Sequence, residues 1–548
     1  MARRFERDHG RASHAGPRRG RRGRDDGGGE VVGAPGDARR LAVITGAMVV
    51  AFDLAHGLSA LPYRLFPGDD VQAWEVARHP GSDPMPFTPT TQWVLRLFGA
   101  LDAHVDAAPS VLGWSTLAAL SVALALLSRL AFRLTGSVPV AVAAMALLAT
   151  SGWTATYVHW WSYAPLTAMF ALALFSALEL ADRRSRWPWA AALVAGVCAA
   201  LCAGTGVSAM AAVGVYALVF GARWWGGADP ANATRVVAFT GAFGAAAIAL
   251  FNWKAWVWHI YENLASPHLE VAAGRFGAVP RPPLLPGLWA LWVYSPLTLV
   301  ALCLGTLGVA LRRRLRPDDG PIGPVLPVLA LVWLHLLVVD ALPTTKLART
   351  HFAMFPLVCL ALAMMAARSR AWVPARLLRG YTAALVVGAL VTMGHGLAVS
   401  HDTWRRRHVG PRTMAQAPYR GRTVLTLVQD PHAPMLRQWL APDRAVLSVG
   451  VTSLAAALAA HPDAVLVLGP AGAASGVSVV SGGVLEDFVV DPRVTRLLAT
   501  ARLATVPYYA DHRPFFLEEE VCQGLLYRGS VGVRGPGARA GVLLATWR

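Results

Sequence analysis

The chain has 548 residues, of which 55% are hydrophobic and only 15% charged. Soluble proteins average roughly 25% charged residues, so a single water-soluble enzyme is a poor fit. The net charge of +18 suggests nucleic acid, but the basic residues form short clusters between long apolar runs rather than one basic face, which argues against that class. Five cysteines (Cys198, Cys202, Cys303, Cys359 and Cys522) fall into no metal-binding spacing. The first four lie in apolar runs, where a thiol behaves as a small hydrophobe, so neither a disulfide framework nor a zinc site is expected.

Residues 1–40 hold eleven arginines and six acids with almost no large apolar side chains. Such a segment cannot bury enough surface to fold and reads as a disordered basic tail. The first apolar stretch runs from Leu41 to Pro62, too late for a cleavable signal peptide and long enough to cross a bilayer, which takes about 20 residues. Further apolar stretches follow at 109–128, 138–152, 162–181, 188–203, 206–221, 235–252, 287–311, 322–340, 351–367 and 381–399. Backbone groups in lipid must be satisfied within helices, which predicts about eleven spanning helices.

Arginine and lysine concentrate in cytoplasmic connections, and here they alternate. With the tail inside, the inner connections carry Arg129 and Arg133; Arg183, Arg184 and Arg186; Arg223 and Arg235; Arg312, Arg313, Arg314 and Arg316; and Arg368, Arg370, Arg376 and Arg379. The outer connections after the third and fifth helices carry none. This pattern predicts a multi-pass protein of the cytoplasmic membrane, with the N-terminus in the cytoplasm and everything after Ser400 outside. Many tryptophans, among them Trp187, Trp189, Trp224 and Trp225, fall at predicted helix ends, the level an amphipathic ring prefers.

Two outer connections are long. Residues 63–108 contain an amphipathic stretch, Gln92 to Ala103, expected to lie on the membrane surface. Residues 253–286 begin with Trp253, Trp256, Trp258 and Tyr261. A pore or carrier does not require such connections, whereas an enzyme working at the outer face does. From residue 401 to 548 the composition changes. Short β-like runs (Thr423–Val428, Ala445–Val449, Ala464–Leu468) alternate with helix-like segments (Ala433–Leu440, Thr452–Ala460), which predicts a small extracytoplasmic α/β domain with a partly parallel sheet. Gly469-Pro470-Ala471-Gly472 follows a strand but lacks phosphate-loop spacing, and Pro470 removes a donor. The expected fold class is therefore mainly α, a polytopic membrane domain over 41–400 followed by this small α/β domain.

The strongest local feature is Phe66-Pro67-Gly68-Asp69-Asp70, with Glu75 close behind, directly beyond the first helix. Two adjacent carboxylates there can accept a proton from an attacking hydroxyl or hold a divalent cation against a phosphate. Pro-Gly-Asp-Asp is also ordinary turn chemistry. A first spanning helix, an acidic pair just beyond it, a large outer connection with a surface helix, about eleven spans and an outer domain together resemble the GT-C superfamily of membrane glycosyltransferases. That superfamily includes the protein mannosyltransferases and the aminoarabinose transferases of lipid A. The resemblance covers residues 41–400 and implies that Asp69 or Asp70 is the catalytic base or a metal-site residue, the metal being Mg or Mn. A second family feature is a basic residue shortly before a late, proline-containing helix. Lys346-Leu347-Ala348-Arg349-Thr350-His351-Phe352-Ala353-Met354-Phe355-Pro356 resembles it, with Thr350 and His351 where many members carry an aromatic.

The implied reaction transfers a sugar from a polyprenyl-phosphate donor to a glycan, lipid or protein acceptor at the outer face, with no part for nucleic acid. Negative charge grows on the leaving phosphate, and Lys346, Arg349 and Lys254 are the cations at that depth. His159 and Trp160, with Trp161, suit either stacking on a sugar or interfacial anchoring. His259 and Glu262 either line the acceptor side or form a solvated helix face. Asp340 would pair with Lys346 or Arg349, and Asp511, His512 and Arg513 show no catalytic spacing. Asp53 and His56 share a face of the first helix, and ionisable groups in a membrane are costly. They either anchor that helix internally or relay protons, the latter in an alternative reading as a proton-coupled transporter or lipid flippase.

Overall fold

The structure, a computed structural model, describes residues 35–60, 89–102, 110–159, 163–182, 187–227, 229–250, 286–315, 325–341, 351–369, most of 374–394, 409–427, 446–470, 496–507 and 541–547. Helix α1 (Pro35–Ala60) starts on a proline with Asp37 in its first turn. A missing amide donor and a negative charge both suit a helix start. Next come α2 (Pro89–Asp102) and α3 (Ser110–Thr135). Gly136, at φ 65°, reverses the chain, a conformation a side chain would strain. Its N–H donates to the carbonyl of Phe132 at 2.7 Å, closing α3.

Two predicted stretches prove to be broken. The apolar run 138–152 ends as α4 (Val138–Ala149), 12 residues long, or about 18 Å, too short to cross a bilayer alone. Ser151 then accepts the N–H of Thr154 on its Oγ at 3.0 Å and caps a separate short helix, α5 (Gly152–His159). Helices α6 (Ala164–Asp182), α7 (Pro188–Ala203), α8 (Val207–Gly226) and α9 (Ala231–Leu250) follow. The run 287–311 divides into α10 (Pro286–Tyr294) and α11 (Pro296–Leu315). Ser295 donates to Leu291 and accepts from Thr298 and Leu299, while Pro296 has no N–H with which to continue α10. Helix α12 (Val325–Ala341) comes next, then a 3-10 turn at Phe352–Met354 leading into α13 (Phe355–Ser369). The described residues between 375 and 394 are helical.

Two helices among the described residues, Gly113–Thr135 and Ala164–Asp182, are long and apolar enough to cross a membrane by themselves. Around a continuous apolar core lie outward side chains that are just as apolar. Ile248 is 82% exposed, and Leu54, Leu218, Val237 and Leu304 are exposed too.

Such a bundle needs ties other than apolar burial. Thr45 and Ser128 hydroxyls meet at 2.7 Å, and Ser121 donates to Asp53 at 2.6 Å, which sets α1 antiparallel to α3. Thr167 donates to Thr205 at 2.8 Å, joining the start of α6 to the end of α7. Helices α7 and α9 meet through small residues. A Cβ on Gly196 would stand 2.4 Å from the Phe239 carbonyl oxygen and 2.9 Å from Ala242 Cβ.

Helix α2, expected to lie on the membrane surface, is tied to the helical bundle. Val94 packs with Ala119 and Leu166, and Thr90 binds the end of α7, its N–H to Gly204 O at 3.0 Å and its Oγ1 to Leu201 O at 2.8 Å. Trp93 and Leu97 are exposed.

After α14 (Val409–Met414) come β1 (Val424–Leu427), β2 (Val446–Val449), α15 (Leu454–Ala460), β3 (Val465–Pro470), β4 (Arg502–Pro507) and β5 (Gly541–Thr546). The sheet order is β2-β1-β3-β5-β4. Strand β1 runs parallel to β2 and β3, with Val424 opposite Val446 and Val465. Strand β5 is antiparallel to β3 and β4, with Ala545 opposite Leu466 and Leu503. Leu425, Leu427, Leu454, Leu466 and Ala545 form its core.

Gly196→Ala should lower the thermal midpoint of the detergent-solubilised protein, because overpacking against a backbone oxygen costs about 1–3 kcal/mol. Gly241→Ala, on the same helix pair with nothing within 4 Å of an added Cβ, should leave the midpoint unchanged or raise it. Equal effects of the two substitutions would refute the close-packing account.

Candidate active site

Three connections were expected to carry chemistry, and they leave the helices at α1, at α9 and α10, and between α12 and His351. Asp69, Asp70, Lys254, His259, Glu262, Trp160, Lys346 and Arg349 lie outside the described residues, as do Glu75 and Asp511–Arg513. His159 is the last residue of α5. The described residues show how the helix ends that bear these connections are held together.

The hub is α5. It packs against α1, α3 and α4, and its Trp153, fully buried, reaches across to the later helices. The indole stacks on Tyr294 of α10 with ring centres 5.4 Å apart and planes within 2°. It meets Phe352 edge-on at 5.6 Å and Phe355 at 5.1 Å. One turn along α5, Tyr157 meets Phe352 edge-on at 4.9 Å. Offset and edge-to-face pairs of this kind contribute about 0.5–1.5 kcal/mol each beyond their buried area. Trp153 and Tyr157 were not singled out from the sequence; their i, i+4 spacing is the one local signal, and only the fold shows that both meet Phe352.

Beside this cluster lies a buried polar knot. Asp340, in the last turn of α12, was expected to pair with Lys346 or Arg349; its partner among the described residues is His351, with Nε2 3.3 Å from Oδ1. The same oxygen accepts the N–H of Gly287 at 3.2 Å. That N–H belongs to the first turn of α10, where amides lack helical partners and a carboxylate is favoured. A side chain at position 287 would require Leu336 and His351 to shift. A Cβ there would stand 2.4 Å from Leu336 Cδ2 and 2.8 Å from His351 Nδ1.

On α1, Asp53 is engaged by Ser121 as described, and the His56 ring packs against Phe52 with centres 4.8 Å apart. Of the two roles open to Asp53, this contact supports anchoring. At the other end of the bundle, part of the arginine signal is internally balanced. Arg223 lies 3.3 Å from Asp182, which also accepts the Trp224 Nε1–H at 3.0 Å. Arg235, counted with the inner connections, is buried and bound to Asp229 at 2.9 Å and to Asn232. Among the described residues no three His, Cys, Asp or Glu side chains gather to hold a metal ion.

No family model and no curated sequence matches the chain. Solved structures do. ArnT from Cupriavidus metallidurans, a GT-C glycosyltransferase crystallised with undecaprenyl phosphate, superposes with a TM-score of 0.53 at 11% identity, over 92% of this chain and 98% of that one. The chain has the GT-C fold. ArnT in its apo state matches with a TM-score of 0.51 at 12% identity, over the same shares of both chains. The GT-C neighbours are polytopic membrane proteins. Coverage of 92% also carries the likeness past the helices into the strand-bearing segment, which the sequence resemblance did not reach.

Trp153→Ala should lower the thermal midpoint strongly, since emptying a buried tryptophan site costs about 3–5 kcal/mol. Trp153→Phe should recover part of the loss. An unchanged midpoint in the alanine variant would remove Trp153 from its place as the hub.

Proposed function

We propose that the chain is a membrane glycosyltransferase that moves a sugar from a polyprenyl-phosphate donor to an acceptor at the outer face of the cytoplasmic membrane. The observation that carries this reading is the GT-C fold, matched along nearly the whole of a transferase crystallised with a polyprenyl phosphate. The stems of the acid-bearing and lysine-bearing connections support it. Helix α1, which precedes Asp69 and Asp70, packs against α5, and α5 touches Phe352, which follows Lys346 and Arg349.

In this reading Asp69 or Asp70 takes the proton of the acceptor hydroxyl as its oxygen attacks the anomeric carbon from the face opposite the phosphate. The bond from that carbon to the phosphate oxygen breaks, its electron pair stays on the phosphate, and the configuration inverts. Lys346 and Arg349, with Lys254, stabilise the negative charge that develops there. The two adjacent carboxylates also suit Mg or Mn, hard cations that take oxygen ligands. Such an ion would supply further positive charge to the phosphate. In this reading His159, Trp160, His259 and Glu262 would contact the sugar or the acceptor.

Asp69→Asn or Asp70→Asn should reduce glycan transfer by about 10²–10⁴-fold, the range of a lost general base, with membrane insertion unchanged. Transfer that survives both single substitutions and the double one would overturn the mechanism. Chelation of divalent cations should abolish transfer if the acids act through a metal and leave it intact if one acts as a bare base.

A further inference from the structure

Helices α1 and α3 meet through Thr45 and Ser128 and run antiparallel. On α1, Arg39, Val43, Gly46 and Val50 are exposed and recur at helical spacing, and on α3 so do Val122, Ala125 and Arg129. Each row lies roughly a third of a turn round its helix from the contact residue, in the same rotational sense. In antiparallel helices equal senses turn to the same side, so the two rows flank one outward groove. Its floor is made of small residues. Nothing lies within 4 Å of a Cβ added to Gly46, and Ala42 and Ala125 are exposed beside it. From Arg39 to Val50 the groove is about 16 Å long, about half of a hydrocarbon layer of about 30 Å. Arg39 and Arg129 stand at the same end of it, because α1 begins where α3 finishes, and Arg133 follows one turn after Arg129. Neither Arg39 nor Arg129 has an acidic partner among the described residues, whereas Arg223 and Arg235 are bound to Asp182 and Asp229. Asp37 lies two places before Arg39 and so projects from another face of α1.

We propose that this groove binds an anionic glycerophospholipid, with its phosphate on Arg39 and Arg129 and an acyl chain lying over Gly46 and Ala125 between Val43, Val50 and Val122. Guanidinium groups match phosphate oxygens as paired donors, and basic pockets between membrane helices take lipid headgroups in this way. Charge argues against the other occupants. The segment before α1 is itself rich in arginine, and a second copy related by a two-fold axis would set these arginines against their own counterparts. The groove's basic end is also opposite Ala60, where the connection bearing Asp69 and Asp70 leaves α1. The site is therefore separate from the donor site proposed above. It rests on the membrane setting of that proposal and not on its chemistry.

The test titrates the full-length protein in detergent with phosphatidylglycerol and with phosphatidylcholine, counting retained lipid by native mass spectrometry and recording the thermal midpoint. Wild type should hold phosphatidylglycerol about thirtyfold more tightly, equivalent to about 2 kcal/mol, the size expected of two arginines at a lipid headgroup. Arg39→Gln combined with Arg129→Gln should cut that preference to within about threefold. Arg376→Gln combined with Arg379→Gln, exposed arginines of another segment, should keep it. Gly46→Leu fills the floor and should weaken both lipids about tenfold; should it fail to fold, Ala125→Leu fills the same floor from α3. The site is overturned by no preference in wild type, by a preference that survives loss of Arg39 and Arg129, or by equal losses in the two arginine pairs. Unchanged lipid binding in the folded groove-filling variant overturns it too. So does full displacement of the lipid by millimolar inorganic phosphate, which would make the ligand a phosphate without chains, or a dimer that Gly46→Leu converts to monomer, which would make it a second copy. Glycan transfer is not measured in any arm, so the mechanism built on Asp69 and Asp70 stands or falls separately.

Discussion

A bundle whose outer surface is as apolar as its interior cannot use the hydrophobic effect to decide which helix faces touch. Lipid chains would cover Leu54 or Ile248 as readily as the core covers Leu124. Selection among helix faces falls to close fit and to the few polar groups that have nowhere else to go. Both devices are visible. Gly196 admits the backbone of α9 to a distance that no side chain would allow, and Asp53 binds α1 to α3 through Ser121. The aromatic cluster around Trp153 adds a third device, large rings that interlock only in one arrangement.

The same constraint explains which features were legible in the sequence. Apolar runs, their charged boundaries and the β-like runs near Leu425, Leu447 and Leu466 are local patterns, and helices or strands stand at each of them. The breaks at Thr150 and Ser295 were not visible, because the side chains on either side are uniformly apolar and only hydrogen-bond geometry marks the joint. Strands β4 and β5 were missed for a related reason. Leu503 and Leu544 sit in short runs far apart in the chain, and only pairing across the sheet makes them strands. Arg235 shows a limit of charge counting, since its cation is neutralised by Asp229 within the fold and says less about sidedness than an exposed arginine would.

The chemistry was legible as residue types rather than as geometry. Acids beyond the first helix and lysines in an otherwise arginine-based chain stood out by rarity. Asp340 was noticed for its charge, but the residue that closes on it from eleven positions away, His351, looked like a departure from a family pattern. That departure is the more informative observation. An imidazole reaches a carboxylate that an aromatic could not.

The seating of α2 carries a consequence of its own. An amphipathic helix lying free on a bilayer follows the headgroups, so its height and tilt change with lipid composition. Helix α2 is instead fastened by Thr90 to the final carbonyls of α7, and Trp93 and Leu97 are left facing outward on a platform that belongs to the protein. The connection between α1 and α2 therefore leaves at Ala60 and arrives at Pro89, both at the ends of packed helices. Whatever the thickness of the surrounding membrane, the distance between those two ends is set by helix packing alone.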